Sequence, residues 1–93
     1  MHADLPAGWT IERVRHASGD AGADLLPVDR LVVVERHGAA DYEVLQPDLI
    51  LSFHDLCLAR ACGEWFIGQI DTDGSVICWA SCGPDLAEAI RGL

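Results

Sequence analysis

Two β-forming runs joined by an Asp-Gly turn constrain this chain more than any other feature. Trp65 to Ile70 (WFIGQI) and Val76 to Ser81 (VICWAS) are aromatic and β-branched, and Asp71-Thr72-Asp73-Gly74 lies between them. That combination predicts a β-hairpin. Side chains alternate across a strand, which assigns Val76, Cys78 and Ala80 to one face and Ile77, Trp79 and Ser81 to the other. Trp65, Ile67 and Gln69 oppose Phe66, Gly68 and Ile70 in the same way. Both faces are apolar, so the hairpin must be central in its sheet or covered on both sides.

Beyond Ser81 the period changes. Gly83-Pro84-Asp85 reads as a helix start, with Pro84 at the first helical position and Asp85 at the positive end of the dipole. Leu86, Ile90 and Leu93 then recur at helical spacing, and Arg91 suits the C-terminal end. So short a helix needs its Leu86/Ile90 stripe packed on the sheet.

Upstream, Trp9 to His16 alternates and reads as a strand; Ala17 to Asp24 is small, polar and glycine-rich and reads as a loop. Leu31 to Arg36 is a strand by β-branched content, His37 to Asp41 turns the chain, and Tyr42 to Gln46 returns as a strand ended by Pro47. Between Leu49 and Arg60 periodicity does not separate helix from strand, although Ala61-Cys62-Gly63-Glu64 reads as a hairpin turn and favours strand for Leu56 to Arg60. The expectation is one α+β domain over residues 1–93: a mostly antiparallel meander sheet of five to seven short strands with one C-terminal helix packed on it.

Charge narrows the function. Fifteen carboxylates face six arginines and no lysine, a formal net charge of −9. No two acids are adjacent, and apolar residues are 51% of the chain, so this is an acidic surface on a folded body rather than a disordered tail. Such a surface repels nucleic acid and anionic membranes and attracts basic proteins. The pairs Arg13/Arg15 and Arg30/Arg36 are expected to balance local carboxylates. The N-terminus shows no signal-like segment, and no apolar run has the length of a membrane span, which makes the cytosol the expected compartment.

No catalytic motif emerges. There is no G-x-S-x-G and no phosphate-binding glycine loop, and Asp71-x-Asp73-Gly74 lacks the closing Glu of a calcium loop. Cys57, Cys62, Cys78 and Cys82, with His37 and His54 as spare ligands, raise a zinc alternative, but their spacing is not that of tight zinc knuckles. Reduced, packed thiols are the preferred reading, with no cofactor. A small metal or Cys/His module using His54, Cys57, Cys62 and Cys82 stands as one alternative. A weakly self-associating domain that buries its hairpin on a second copy is another.

Protein binding remains as the leading expectation. The candidate contact residues are Asp41, Glu43, Asp48, Asp55, Glu64, Asp71 and Asp73, with Trp65 and Trp79 as aromatic anchors. The run Gly63 to Leu93 (GEWFIGQIDTDGSVICWASCGPDLAEAIRGL), a Trp-rich hairpin leading into a terminal helix, is similar in style to small immunity proteins of bacterial toxin–immunity pairs, including those of contact-dependent growth inhibition. That resemblance implies a partner that is a toxic enzyme, commonly a basic nuclease. The chain would cover its active site or substrate surface, with carboxylates standing in for phosphates.

Overall fold

The structure, a computed structural model, describes residues 5–36, 41–54 and 56–93. Its elements run α1 (Ile11–Ser18), β1 (Asp24–Leu26), β2 (Val32–Arg36), β3 (Asp41–Leu45), β4 (Leu49–Ser52), β5 (Cys57–Ala61), β6 (Glu64–Ile70), β7 (Val76–Ser81) and α2 (Leu86–Arg91). The class is α+β, as the sequence suggests. The sheet is mixed rather than a pure antiparallel meander, in the order β1-β4-β5-β6-β7-β2-β3 with β2 parallel to β7, and the described residues hold two short helices instead of one. The turn expected between Arg36 and Asp41 lies outside the described residues.

This order cannot be flat. β3 and β4 sit five strand positions apart, yet only Gln46, Pro47 and Asp48 join them. Flat strands at that separation would be ~24 Å apart, whereas such a link spans at most ~14 Å. The pairing registers explain the contradiction. Asp24 pairs with Ser52 and Leu26 with Ile50, while Val32 pairs with Leu45 and Arg36 with Asp41. These are the same hairpin register displaced by one residue. β1 and β2 therefore form one long arm, β3 and β4 form the other, and the two bend together around Pro27–Leu31 and Gln46–Asp48. β4 continues through β5 and β6 to β7, and the parallel β7–β2 pairing closes the wall.

The two faces of that wall hold separate cores. Val32, Val34, Leu45, Ile50, Cys57, Ala59, Ala61, Phe66, Val76 and Cys78 fill the inside. Leu49, Leu51, Leu58, Trp65 and Ile67 point outward and are covered by Val14 of α1 and by Leu86, Ala89 and Ile90 of α2. Each fully buried aliphatic side chain contributes about 1.5–3 kcal/mol relative to exposure.

Local chemistry sets the element ends. The β5–β6 turn is the two-residue pair Cys62-Gly63, both with positive φ (55° and 75°), as a hairpin matched to strand twist requires. The expected Trp9–His16 strand is instead helical from Ile11. Thr10 caps it, its Oγ1 accepting from the Arg13 N–H at 3.1 Å, while Glu12 and Arg15/His16 suit the two dipole ends. The alternation that suggested a strand also places Ile11 and Val14 on one helical face. The helix runs on to Ser18, and the expected Ala17–Asp24 loop shortens to a turn before β1. At the C-terminus the helix starts later than Pro84: Asp85 is the N-cap, accepting from the Ala87 N–H at 2.9 Å.

A bulge between Ile67 and Gly68 also corrects the face assignment of the central hairpin. Cys78 pairs with Gly68 and faces inward, but Ala80 pairs with Ile67 and Ser81 with Phe66. Ala80 is thereby turned away from the face of Val76 and Cys78. The bulge depends on Gly68: a Cβ there would lie 2.4 Å from the Ile77 carbonyl oxygen and 2.8 Å from the Cys78 Cα. Gly68→Ala is expected to lower unfolding free energy by about 1–3 kcal/mol through forced backbone displacement. Urea unfolding checks this, and an unchanged midpoint would show that the wall accommodates the methyl group.

Candidate protein-binding face

The helices cover the outer surface of β4, β5 and β6 and stop there. The outer surface of β7, β2 and β3 has no cover among the described residues. Pairing lines up its side chains: Ile77 beside Val33, and Val33 beside Val44. Tyr42 lies one step along β3, Leu31 precedes β2, and Trp79 follows Cys78 on β7. Tyr42 is 53% exposed, Val44 61%, Leu31 55% and Trp79 45%. Val33 and Ile77 between them are half-buried. A contiguous apolar strip with two aromatic side chains is the composition of an interface core rather than of ordinary wetted surface.

Carboxylates frame the strip. Glu35 sits on β2 at the level of Trp79, and Asp29 and Asp73 line a shallow groove beside Leu31 at the opposite end. Hydrogen bonds from the Ser75 hydroxyl (2.6 Å) and N–H (3.0 Å) hold the Asp73 carboxyl below its ordinary pKa, so it is ionised at neutral pH.

Three of the arginines are engaged by backbone carbonyls. Arg13 donates to the Gly8 carbonyl (2.8 Å), Arg15 to that of Ala23 (2.8 Å), and Arg30, which shares the groove of Asp29 and Asp73, to those of Pro27 and Gly74 (both 3.0 Å), while the Arg36 side chain lies outside the described residues. Arg13 also stacks on Trp9, 4.3 Å from the ring centroid. Among the described residues Arg60 forms a bidentate pair with Asp48 (3.0 and 3.1 Å), and Arg91 pairs with Glu88.

The expected contact residues are dispersed. Trp79 lies on the strip and Asp73 at its rim. Glu43 is exposed on β3, the strand that carries Tyr42 and Val44. Asp41 starts β3, but its side chain, like the whole of Asp55, lies outside the described residues. Asp48 is committed to Arg60, and Glu64 accepts from the Ser81 hydroxyl. Asp71 accepts from the Thr72 N–H within its own turn (2.8 Å). Trp65, expected as an anchor, is 0% exposed: it is a core residue, and its Nε1–H finds no acceptor among the described residues. Sequence reasoning missed Leu31, Val33, Tyr42, Val44 and Ile77. The signal was present, since Leu31 to Val34 and Tyr42 to Leu45 supply apolar side chains to both faces of their strands, one face more than the barrel interior needs.

The metal alternative loses its geometry. Cys57 and Cys62 stand at opposite ends of β5, ~17 Å apart at strand rise, with Cys57 inside the barrel and Cys62 exposed on the turn. Among the described residues no group of three His, Cys, Asp or Glu could hold an ion, and no helix is long and apolar enough to cross a membrane. No protein-family model matches this chain, and no match is found among curated proteins or solved structures.

Burial governs the thiols. It pushes Cys57 up to about 11 and Cys78 up to about 12 from the ordinary 9.0, so both are neutral and unreactive in the folded state. A folded pKa above the unfolded one means that only the unfolded chain releases the proton between the two values. The stabilisation is therefore complete below about pH 9 and declines as pH rises through 11 and 12. Unfolding midpoints are expected to fall between about pH 8 and pH 10.5. At the lower pH a thiol reagent should modify Cys62 first and reach Cys57 and Cys78 only on unfolding. Rapid labelling of Cys78 in folded protein would contradict the closed barrel.

Proposed function

We propose that this chain is a non-catalytic binding protein that docks a basic partner protein, in the manner of an immunity protein covering the active site or substrate surface of a toxin. The observation that carries the reading is the apolar strip with Trp79 and Tyr42, uncovered among the described residues and framed by carboxylates on a chain of net charge −9. The strip supplies desolvated contact area and the surrounding charge supplies steering. A nuclease toxin fits this chemistry, because its phosphate-binding surface is basic by necessity. The cytosol fits as the working compartment, where four unpaired cysteines stay reduced. Self-association through the strip would bring two like-charged rims together and is the less favoured use of it.

The decisive experiment looks for a toxin domain in the neighbouring reading frame and pairs the chain with it. Co-expression is expected to relieve growth inhibition. The association rate should drop by about tenfold or more as salt rises from about 0.05 to 0.5 M. Trp79→Ala should weaken the complex by roughly 30-fold, the equivalent of ~2 kcal/mol, while leaving stability nearly unchanged. Salt-independent association, or full affinity in Trp79→Ala, would refute this function.

A further inference from the structure

Two of the three tryptophans carry an arginine over the ring: Arg13 lies 4.3 Å from the Trp9 centroid and Arg60 5.7 Å from that of Trp65. Arg60 is at the same time bidentate to Asp48 (3.0 and 3.1 Å), so a tryptophan, a guanidinium and a carboxylate form one unit. Trp79 is the most exposed of the three, and among the described residues no arginine lies over it. It does have the carboxylate. β2 and β7 run parallel with Val34 beside Cys78, so the next residues along are Glu35 and Trp79. On its other side Glu35 pairs with Tyr42 of β3. Strand alternation puts Glu35 and Tyr42 on the same outer face as Val33 and Val44. The β6–β7 register skips from Cys78 to Ala80, which leaves Trp79 without a cross-strand partner on β6, and such bulges re-aim a side chain. The result is a row across three strands: a half-buried carboxylate between two exposed aromatic side chains. Neighbouring strands are ~4.8 Å apart, so a group seated on Glu35 has an aromatic side chain on each side. Among the described residues no hydrogen bond or ion pair engages Glu35.

We infer that the row Trp79–Glu35–Tyr42 is the seat of an arginine side chain of the partner protein, its guanidinium paired with Glu35 and stacked against the two aromatic side chains. The chemistry of the row selects arginine. A half-buried carboxylate calls for a cation, and the flanking rings attract one through their negative faces. A guanidinium is planar and weakly hydrated, so it lies on a ring while its in-plane N–H groups still reach a carboxylate. An ammonium holds its water more strongly and offers no flat face, which makes lysine the poorer occupant. The Trp65–Arg60–Asp48 unit assembles the same three groups within this chain. At Trp79 the tryptophan and the carboxylate are in place, and an incoming arginine completes the set. The inference rests on the binding function proposed above and adds the group that the strip recognises.

The test titrates N-acetyl-arginine methylamide into the full chain and follows the ring resonances of Trp79 and Tyr42 by NMR. Both rings are expected to shift saturably, with a Kd on the order of 1–10 mM. The citrulline counterpart keeps the shape without the charge and should bind about tenfold more weakly or worse, and the lysine counterpart about threefold more weakly. Glu35→Gln, which keeps the size of the side chain, should weaken arginine binding by about tenfold while leaving the urea midpoint unchanged. Equal binding of citrulline or lysine, full affinity in Glu35→Gln, or no shift of either ring would overturn the arginine seat. Ring shifts that grow with protein concentration before any probe is added would assign the face to a second copy of the chain and overturn it as well. The complex with the toxin domain separates the two claims. If Trp79→Ala weakens that complex and Glu35→Gln does not, the binding function stands and the arginine seat falls. If no complex forms, the binding function itself falls, and the arginine titration alone decides the seat.

Discussion

The parallel pairing of β2 with β7 is the contact on which everything else depends. Val32, Val33 and Val34 lie beside Val76, Ile77 and Cys78, and this short ladder joins the start of the long hairpin to the end of the meander. Without it, the hairpin and the β5–β6–β7 meander would form an open sheet with its inner apolar residues wetted on one side. With it, residues from β2 through β7 pack in a single interior. Closure in turn forces the bend at Pro27–Leu31 and Gln46–Asp48, because an unbent hairpin could pair with only one end of the meander.

Closing the wall creates an inside and an outside, and the outside is only partly clothed. α1 and α2 are short, and together they shield the side occupied by Trp65, Ile67, Leu51 and Leu58. Nothing comparable lies over Val33, Val44, Ile77 and Trp79 among the described residues. The two tryptophans of the central hairpin thus have opposite fates for one reason. Trp65 lies under the helices, while Trp79 lies beyond their reach at the bulge beside Gly68.

Electrostatics follow from the same architecture. Bending a hairpin and capping short elements leaves backbone carbonyls without ladder partners. Arg13, Arg15 and Arg30 satisfy several of them at 2.8–3.0 Å. Guanidinium groups bound to carbonyls keep their charge, and Arg30 does so in the groove that Asp29 and Asp73 also line. The chain as a whole keeps a formal net charge of −9.

Residue order alone determined the features that depend on neighbours in the chain. The Asp-Gly hairpin, the Cys62-Gly63 turn, the apolar content of both faces of β6 and β7, the C-terminal helix and the anionic surplus all follow from turn chemistry, strand alternation and capping, which act within a few residues. Tertiary structure alone decided the rest. Thr10 to Ser18 could satisfy either period, and it became helix where the Thr10 cap starts a turn and Val14 packs into the outer core beside α2. The one-residue bulge opposite Gly68 turned Ala80 to the other face, which no count along β7 could reveal. Parallel closure, the shielding of Trp65 and the exposure of Trp79 and Tyr42 depend on contacts between segments far apart in sequence, and those are set by how the long hairpin bends.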